Sequence, residues 1–545
     1  MHQHCSTRLW FKNSSVGALQ PPVPIVEEAT PSPAMAADLP LYQLLLLLLL
    51  LVPLFFLLST RRRAPNAQRL PPGPWALPVI GHLHHLAARG LPHRAMRDLA
   101  RRHGPHLMLL RFGEVPVVVA SSPAAAREVM RTHDAAFASR PMSPMSRLWF
   151  QGADGILFAP CGDAWRQLRR VCTQELLSAR RVQAFRPVRE DELRRLLHSV
   201  AAASGRRPVN LTESFKTYIA DSTVRAIIGS RRLRDRDAYL RMLKGLFAIM
   251  PGMSLPDLFP SSRLAMLLSR APASILAYRR SMRLIMDGII QEHRDRTPAA
   301  ADDDDEEDFV DVLLRLQKEA DSQFPLTTEN IKTVMLDIFG ASTETSSTTL
   351  DWAMAELLRN PRTMEKAQRE VRQSLAGRRG TATEDALADL HYLRCVVKES
   401  LRLHPPATML VPRQCQAPRR VLGLDVPAGT TVLVNAWAIG RDPAHWDDPD
   451  RFSPERFERS GARDFRGADF EFIPFGAGRR ICPGMAFGLA HIELALAALL
   501  LHFDWSLPGG TPAEELDMTE AFGIATPRRH DLWVVAVPRV PVPEN

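Results

Sequence analysis

Residues 475–484 of this chain read Phe475-Gly476-Ala477-Gly478-Arg479-Arg480-Ile481-Cys482-Pro483-Gly484, and this decapeptide says more about the fold than any other stretch. Its three glycines let the backbone turn tightly and bring amide N–H groups close to the Cys482 sulfur. Pro483 suits the first position of a helix, and an apolar helical run follows to about Leu501. Cys482 is therefore predicted at a helix N-terminus, where the helix dipole favours a thiolate. Such a thiolate is a nucleophile or a soft metal ligand, and a buried structural cysteine is the alternative.

The composition of the whole chain excludes several classes of protein. Of its 545 residues 46% are hydrophobic, which excludes wholesale disorder, and a mean hydropathy of −0.13 excludes a bundle of many membrane spans. Six cysteines without a CxxC pair exclude a disulfide scaffold and a zinc ribbon. The net charge of +9 is compatible with binding to nucleic acid, to a membrane surface or to an acidic partner, and composition does not choose among them. No phosphate-loop or dinucleotide motif is found, so electrons for any redox chemistry must come from another protein.

The N-terminal region predicts a membrane anchor. Leu44–Leu58 is continuously apolar and Arg61–Arg63 follow at once, which favours a signal anchor with this flank in the cytoplasm over a cleaved signal peptide. We assign 35–63 to this anchor and 64–75 to a proline-rich hinge. Residues 1–34 lack periodicity and are predicted to be a non-native or disordered extension, with translation beginning at Met35. The catalytic domain is predicted at 76–545.

Helical patterns dominate that domain, so the fold class is mainly α with small β-sheets. The pattern predicts a 32-residue helix at Thr328–Arg359, capped by Thr327 or Thr328 and ended by Asn360-Pro361. The acidic run Asp302–Asp308 is predicted to be a solvated loop. Further helices are predicted at 163–180, 187–204, 212–229, 273–296 and 384–404, and strands at 107–111, 115–120, 429–435 and 532–538.

The spacing Phe-x-x-Gly-x-Arg-x-Cys-x-Gly in the decapeptide resembles the haem-binding signature of the cytochrome P-450 superfamily. The resemblance covers about residues 70–540 and includes three further motifs: Glu399-Ser400-Leu401-Arg402, Pro454-Glu455-Arg456-Phe457 and Trp165-Arg166-Gln167-Leu168-Arg169. The Pro71–Pro74 hinge and the stretch Lys398–Pro406 resemble microsomal plant enzymes of the seventy-one clan, including terpenoid-oxidising members. The fold implied is a single haem-centred globule behind an N-terminal transmembrane helix.

The resemblance implies haem b, iron protoporphyrin IX, as the cofactor. Cys482 would be the axial ligand of the haem iron, with Phe475 packed beside its sulfur. The haem propionates would be held by guanidinium groups and by the Trp165 indole N–H. The arginines implied are Arg480, Arg169, Arg413 and Arg140; for Arg140 an ordinary surface position is the alternative. Glu399, Arg402 and Arg456 would form a buried triad that serves folding and haem retention.

The centre of the long helix carries the residues that the resemblance assigns to chemistry. Ala341–Thr349 is rich in Ser and Thr, which are poor helix formers, although it lies inside a predicted helix. Residues that disfavour the local structure in this way indicate a functional site. The resemblance implies that Thr345 donates a hydrogen bond to dioxygen and that Glu344 feeds protons through water; polar packing between helices is the alternative. Ser342 stands where the family has glycine, and we expect it to bond back to the Ile338 carbonyl.

The substrate pocket is also implied by resemblance. It would be lined by the 142–158 loop, by Ile338–Ser342 and by two mostly apolar segments, Ala407–Val411 and Phe522–Ile524. Thr408 is the one polar group of the two apolar segments, so a terpenoid-like skeleton is favoured, with indole, phenolic and oxime substrates as alternatives. The pocket residues are Ala341, Ser342, Ala407, Thr408, Val411, Phe522 and Ile524.

The predicted function is a monooxygenase that inserts one oxygen atom of O2 into a small apolar specialised metabolite. NADPH and flavins would act only through a partner, NADPH-cytochrome reductase, with cytochrome b5 as a second candidate, docked on arginines near Cys482. The expected location is the endoplasmic reticulum membrane, single-pass, with the catalytic domain in contact with lipid and facing the cytosol; no nucleic-acid partner is expected. The alternatives are a haem-thiolate isomerase or lyase that needs no reductase, and a haem-carrying partner protein without turnover.

Overall fold

The computed structural model describes Gln43, Leu47 and residues 69–542, except 89, 152–154, 206, 230–235, 250–251, 296–306, 320–324, 376–382 and 460. The predicted extension 1–34 lies outside the described residues. So do nearly all of the predicted anchor, residues 64–68 of the hinge and most of the acidic run. The fold below is that of the compact unit Ala67–Asn545.

Nineteen α-helices are found in the described part of the chain. They are α1 Leu83–Ala87, α2 Pro92–His103, α3 Pro123–Arg127, α4 Asp134–Phe137, α5 Pro144–Phe150, α6 Asp163–Val171, α7 Ala179–Ala184, α8 Arg186–Ala203, α9 Leu211–Ile228, α10 Arg236–Ile249, α11 Leu255–Leu258, α12 Arg263–Leu268, α13 Ala271–Arg294, α14 Phe309–Lys318, α15 Thr328–Arg359, α16 Pro361–Leu375, α17 His391–Leu403, α18 Ala436–Ile439 and α19 Met485–His502.

Nine short strands form small sheets beside these helices. They are β1 Leu107–Phe112, β2 Val115–Ala120, β3 Val209–Asn210, β4 Arg413–Gln414, β5 Arg419–Val421, β6 Leu424–Val426, β7 Thr431–Val434, β8 Phe503–Ser506 and β9 Trp533–Pro538. One sheet has the order β1-β2-β7-β4, a second β3-β9-β8, and β5 pairs with β6. β2 and β7 run parallel, with Val118 opposite Val432, whereas β1–β2 is an antiparallel hairpin as predicted.

The long helix α15 has the bounds that its sequence predicts. The Thr327 side chain accepts from the Asn330 amide at 3.1 Å and the Asn330 side chain reciprocates, which forms a capping box. At the other end Asn360 closes the helix before Pro361.

Two of the other predicted helices are interrupted. The predicted helix 163–180 becomes α6, a π-turn at Cys172–Leu176 and then α7, because the Ser178 side chain caps a new helix by accepting from the Arg181 amide. The predicted helix 384–404 is a 3₁₀ segment, Glu384–Asp389, followed by α17. The break lies at Leu390, whose φ and ψ of −88° and 76° are not helical.

The polar centre of α15 lies where two hydrophobic cores meet. Residues 331–339 of this helix pack in a core shared with α5, α6, α10, α13 and α14, whereas residues 350–358 pack in a core shared with α8, α9, α16, α17 and α19. The Ser- and Thr-rich segment 341–349 stands between the two. Its position therefore follows from the apolar pattern on either side of it.

The helix that follows the decapeptide begins later than predicted. Gly484 is the N-cap residue and α19 starts at Met485, so the prediction that Pro483 is the first helical residue is wrong. α19 is the one helix of the described residues that is long and apolar enough to cross a membrane. Most of it is buried inside the domain, so its apolar character belongs to the core.

Candidate functional site

The loop before α19 holds Cys482 through backbone hydrogen bonds. The Cys482 amide donates to the Phe475 carbonyl at 3.0 Å, and the Ile481 amide donates to the Gly478 carbonyl at 3.0 Å. Gly478 has a φ of +69°, and a Cβ added there would lie 2.1 Å from the Met130 carbonyl oxygen, so only glycine fits. The loop is therefore rigid and is pressed against the turn around Met130.

Opposing influences act on the Cys482 thiol. Burial raises its pKa, while the Gly484 backbone N–H and the Arg169 guanidinium act to lower it. The net direction is upward because burial outweighs the other two, while the Gly484 N–H acts in the predicted direction, toward the thiolate. A metal ion that takes the place of the thiol proton would reverse this preference. The predicted contact of Phe475 with the sulfur stays a prediction; its ring lies edge-on to Phe465, with centroids 5.1 Å apart.

The structure brings together the four arginines implied by the resemblance. Arg140, Arg413 and Arg480 are buried and Arg169 is half-buried. Burial lowers the pKa of Arg140 well below its ordinary value, and the charges of Arg480, Arg413 and Arg169, in that order, lower it further. The surface position considered for Arg140 is therefore wrong.

Each of these guanidinium groups also donates to backbone carbonyls that surround the cluster. Arg480 donates to the carbonyls of Ala138 at 2.7 Å and Ile156 at 3.1 Å. Arg140 donates to Leu157, Val411 and Pro412, Arg413 donates to Ala477, and Arg169 donates to Ile481. The cluster thus ties the 155–159 loop, β4 and the Cys482 loop to one another.

The charge of this cluster fits the propionates of a haem. Asp134, which lies 3.1 Å from Arg413, and Asp337 are the two carboxylates that act on these arginines in the described residues. Four buried or half-buried cations beside two carboxylates leave an excess of positive charge that is costly away from water. A buried dianion next to Cys482 would balance that charge, as two propionates do.

Trp165 stacks on Arg480, and its indole N–H is hydrogen-bonded to the protein backbone. Its indole N–H donates to the Ile156 carbonyl at 3.1 Å, and the Arg480 guanidinium lies over its ring at 3.8 Å from the centroid. The predicted hydrogen bond from this N–H to a propionate stays a prediction. Trp165 thus orients Arg480.

Asp337 is the most important residue of the site that sequence reasoning missed. Its Oδ2 accepts from the amides of Ile156 at 2.8 Å and Leu157 at 3.0 Å, and burial raises its pKa to about 6. Gly155 permits this approach, because a Cβ there would lie 2.3 Å from the same oxygen. The signal was available in the sequence: Asp337 is a lone carboxylate in an apolar stretch of helix, seven residues before Glu344.

The hydroxyl groups along the centre of α15 mostly bond back to its own backbone. Thr343, Thr345 and Ser347 donate to the carbonyls four residues earlier, at 2.9, 2.7 and 2.6 Å. The Thr345 hydroxyl donates to the Ala341 carbonyl, and the predicted hydrogen bond from Thr345 to dioxygen stays a prediction. Ala341 is exposed in mid-helix, and Glu344 and Thr345 are partly exposed.

Ser342 bonds across to another helix. Its Oγ lies 2.8 Å from Thr223 Oγ1 on α9, so the prediction that Ser342 bonds back to the Ile338 carbonyl is wrong. Ser342 is partly exposed and Thr223 is buried.

The predicted pocket segments are partly open. Ala407, Val411 and Ile524 are partly buried, and Phe522 is 56% exposed. Thr408, predicted to be a polar handle for substrate, is buried, and its hydroxyl lies 3.3 Å from Thr526 Oγ1.

The ionic triad is assembled away from these residues. Arg402 donates to both oxygens of Glu399, at 2.7 and 2.8 Å, and Arg456 donates to Glu399 Oε1 at 3.0 Å. The Glu399 and Arg402 side chains are fully buried.

Comparisons with known proteins identify the fold and the family. The family model described as cytochrome P-450 matches residues 71–534. A zebrafish cytochrome P-450 structure with abiraterone superposes with a TM-score of 0.69 at 25% identity, over 82% of this chain and 99% of that one. This agreement confirms the predicted cytochrome P-450 fold.

Among curated proteins, premnaspirodiene oxygenase of Hyoscyamus muticus is 43% identical over 87% of this chain and 94% of its own length. Desmethyl-deoxy-podophyllotoxin synthase of Sinopodophyllum hexandrum is 45% identical over 86% and 91%, and dolabradiene monooxygenase of Zea mays is 48% identical over 84% and 90%. Because the family model covers most of the chain and these relatives span nearly all of their own length, this chain belongs to the cytochrome P-450 family and is a haem-dependent monooxygenase.

Proposed function

We propose that this monooxygenase oxidises a small apolar specialised metabolite of terpenoid-like character, with electrons from NADPH delivered by NADPH-cytochrome reductase, and with cytochrome b5 as an auxiliary donor. The observation that carries the proposal is the buried arginine cluster beside the Cys482 loop, since its charge suits the propionates of a haem held by Cys482. Reductase-dependent use of NADPH distinguishes this function from the isomerase or lyase and from a haem carrier.

Cys482 would hold the haem iron through its sulfur, and Arg140, Arg169, Arg413 and Arg480 would pair with the propionates. The haem would supply the activation of dioxygen. The rigid loop amides orient the sulfur, and the carbonyls of the 155–159 loop orient the guanidinium groups, so both contacts are prepared before the cofactor arrives.

Glu344 and Thr345 would hold and pass protons at the centre of α15. Since the Thr345 hydrogen is donated to Ala341, the Thr345 oxygen is left to accept a hydrogen bond from water. The partly exposed Glu344 carboxylate lies in the preceding position, where it can hold a proton and exchange it with solvent. Together they would order water at the site of oxidation.

The substrate class rests on the relatives and on the apolar lining. Premnaspirodiene oxygenase and dolabradiene monooxygenase are named for terpenoid hydrocarbons, and Ala407, Val411, Phe522 and Ile524 offer apolar surface to such a molecule. Terpenoid hydrocarbons, indoles, phenolics, oximes and desmethyl-deoxy-podophyllotoxin form a discriminating panel. A high-spin spectral shift with terpenoids alone supports the proposal, and a shift with another class alone contradicts it.

The face around the Cys482 loop supports docking of an acidic reductase. Arg170 and Arg479 are exposed, and they are adjacent in the chain to Arg169 and Arg480 of the cluster. Long-range attraction between such cations and an acidic partner accelerates association and weakens with salt. Arg479→Glu is expected to slow electron transfer from the reductase and to reduce its dependence on ionic strength; an unchanged rate would place the partner elsewhere.

The proposed location is the endoplasmic reticulum membrane, single-pass and facing the cytosol, with 35–63 as the anchor. An exposed apolar patch on the domain supports contact with lipid. The patch consists of Trp75, Val79, Ile80, Leu264, Leu267 and Leu268. Its two parts meet at the β1–β2 turn, where the Gly113 amide donates to the Ile80 carbonyl and the Glu114 amide donates to the Leu258 carbonyl. Leu267→Glu combined with Leu268→Glu should weaken the contact of the full chain with phospholipid vesicles, measured by quenching of tryptophan fluorescence by lipid-borne probes.

The decisive experiment is the difference spectrum of the reduced protein with carbon monoxide. Cys482→Ala should abolish the band characteristic of thiolate ligation, whereas Cys395→Ala, at a buried cysteine on α17, should retain it. Retention of the band in Cys482→Ala would overturn the assignment of the ligand.

A further inference from the structure

Two hydroxyl groups link α9 to the chemically important turn of α15. Thr223 Oγ1 and Ser342 Oγ are 2.8 Å apart, across 119 residues of sequence. Ser342 is the position at which this chain departs from the glycine of the family pattern. A glycine at position 342 could not make this hydrogen bond, so the contact is specific to chains that carry a hydroxyl there.

Burial determines which hydroxyl donates. Each hydroxyl carries one hydrogen, and Thr223 is fully buried. If Ser342 donated to Thr223, the Thr223 hydrogen would be buried away from water without an acceptor among the side-chain hydrogen bonds of the described residues, which is destabilising. Thr223 is therefore the donor, and the hydrogen of the partly exposed Ser342 remains available to another partner.

That free hydrogen lies beside the proton-handling residues. Ser342 directly follows Ala341, which is exposed and whose carbonyl accepts from Thr345 at 2.7 Å. Ser342 and Thr345 are three residues apart and hence on neighbouring positions of the helix surface. One water molecule bound at these two positions can accept from Ser342 and donate to the Thr345 oxygen.

We propose that Thr223 orients Ser342 to donate a hydrogen bond to a water molecule beside the Ala341–Thr345 turn, and that this water reduces the loss of electrons to hydrogen peroxide. That loss consumes one O2, two electrons and two protons for each H2O2 released, so it depends on how protons reach dioxygen. Thr223 and Ser342 are positioning residues in this account. The proposal rests on the proposed function and on the roles given there to Glu344 and Thr345.

The test compares Thr223→Val, which keeps the shape and removes the hydroxyl, with Thr223→Ser, which keeps the hydroxyl. The hydrogen peroxide formed per NADPH consumed should rise about two- to tenfold in Thr223→Val and in Ser342→Ala, the range that one hydrogen bond is worth. Thr223→Ser should behave as the unsubstituted enzyme. Because Thr223 acts through Ser342, the double variant should match Ser342→Ala alone.

A second readout does not depend on turnover. With carbon monoxide as the probe on the reduced holoenzyme, the C–O stretching frequency should shift in Thr223→Val and Ser342→Ala and be restored in Thr223→Ser. An unchanged frequency and peroxide yield in Thr223→Val, or additive effects in the double variant, would overturn the proposal.

Thr345→Ala separates this inference from the proposed function. If Thr345→Ala raises peroxide release while Thr223→Val does not, the positioning role of Thr223 is wrong and the proposed function stands. If Thr345→Ala also leaves peroxide release unchanged, the proton-handling roles are wrong and the inference is overturned with them.

Discussion

Asp337 on α15 accepts a hydrogen bond from the backbone amide of Ile156 at 2.8 Å, across 181 residues of sequence. The same oxygen accepts from Leu157, and the carbonyls of Ile156 and Leu157 accept from Arg480 and Arg140. The carboxylate thus fixes a loop that in turn fixes two of the arginines assigned to the propionates. α15 therefore contributes to the cofactor end of the site as well as to its proton-handling face.

Removal of the Asp337 acceptor should loosen the loop. Asp337→Ala leaves the buried Ile156 amide without a partner, at a cost of about 1–3 kcal/mol, and also frees the partly buried Leu157 amide, so it should reduce haem retention. Asp337→Asn keeps one acceptor oxygen and should retain most of the haem. Haem content per purified protein measures both; equal content in the two variants would contradict a role for the acceptor.

The free energy of unfolding should vary with pH in a way that depends on the raised pKa of Asp337. Its folded pKa of about 6 lies above the ordinary value of about 3.9, so the folded protein binds this proton more tightly than the unfolded chain does. The contribution of Asp337 to the free energy of unfolding is therefore greatest below about pH 4, and it falls by about 3 kcal/mol as the pH rises through 6. The stability advantage of the natural protein over Asp337→Asn should shrink between pH 5 and pH 7, measured by denaturant midpoints. A constant advantage would contradict the raised pKa.

The ionic triad should be essential for folding. Glu399→Gln removes the negative charge that two guanidinium groups share, and the loss of one partner of a buried ion pair costs about 3–5 kcal/mol. We expect little folded haemoprotein at growth temperature. Glu458→Gln is the matched control, because Glu458 pairs with Lys366 at the surface at 3.0 Å, where such a change is worth about 1 kcal/mol or less. Similar yields of the two variants would show that the triad is dispensable.

Trp165 should act through Arg480. Trp165→Phe keeps an aromatic face under the guanidinium and loses the bond to Ile156, whereas Trp165→Leu loses both contacts. The rate of haem transfer to apomyoglobin should therefore rise more in Trp165→Leu than in Trp165→Phe. Identical rates would mean that the ring does not orient the arginine.

Several features were predictable because their causes are local. Thr327 with Asn330 and Asn360 with Pro361 define both ends of α15 within a few residues of chain, and the predicted bounds are confirmed. The helix predicted at 384–404 was wrong because its apolar pattern continues across Leu390, where the backbone leaves helical geometry. Apolar periodicity reports which face is buried and does not report a single residue with altered φ and ψ.

The family, the glycine-rich loop around Cys482 and the helical class follow from the sequence, since glycine spacing, caps and hydrophobic period act over short stretches of chain. The partners of the polar residues in the site become visible in the folded chain. There, Trp165 donates a hydrogen bond to Ile156, Thr345 donates to Ala341, and Ser342 is hydrogen-bonded to Thr223. Asp337 accepts from the Ile156 amide and so fixes the 155–157 loop. These assignments depend on hydrogen-bond partners and burial, and for Ser342 and Asp337 the partner lies more than a hundred residues away, so they exist only once the two hydrophobic cores have brought α9, α15 and the loops together.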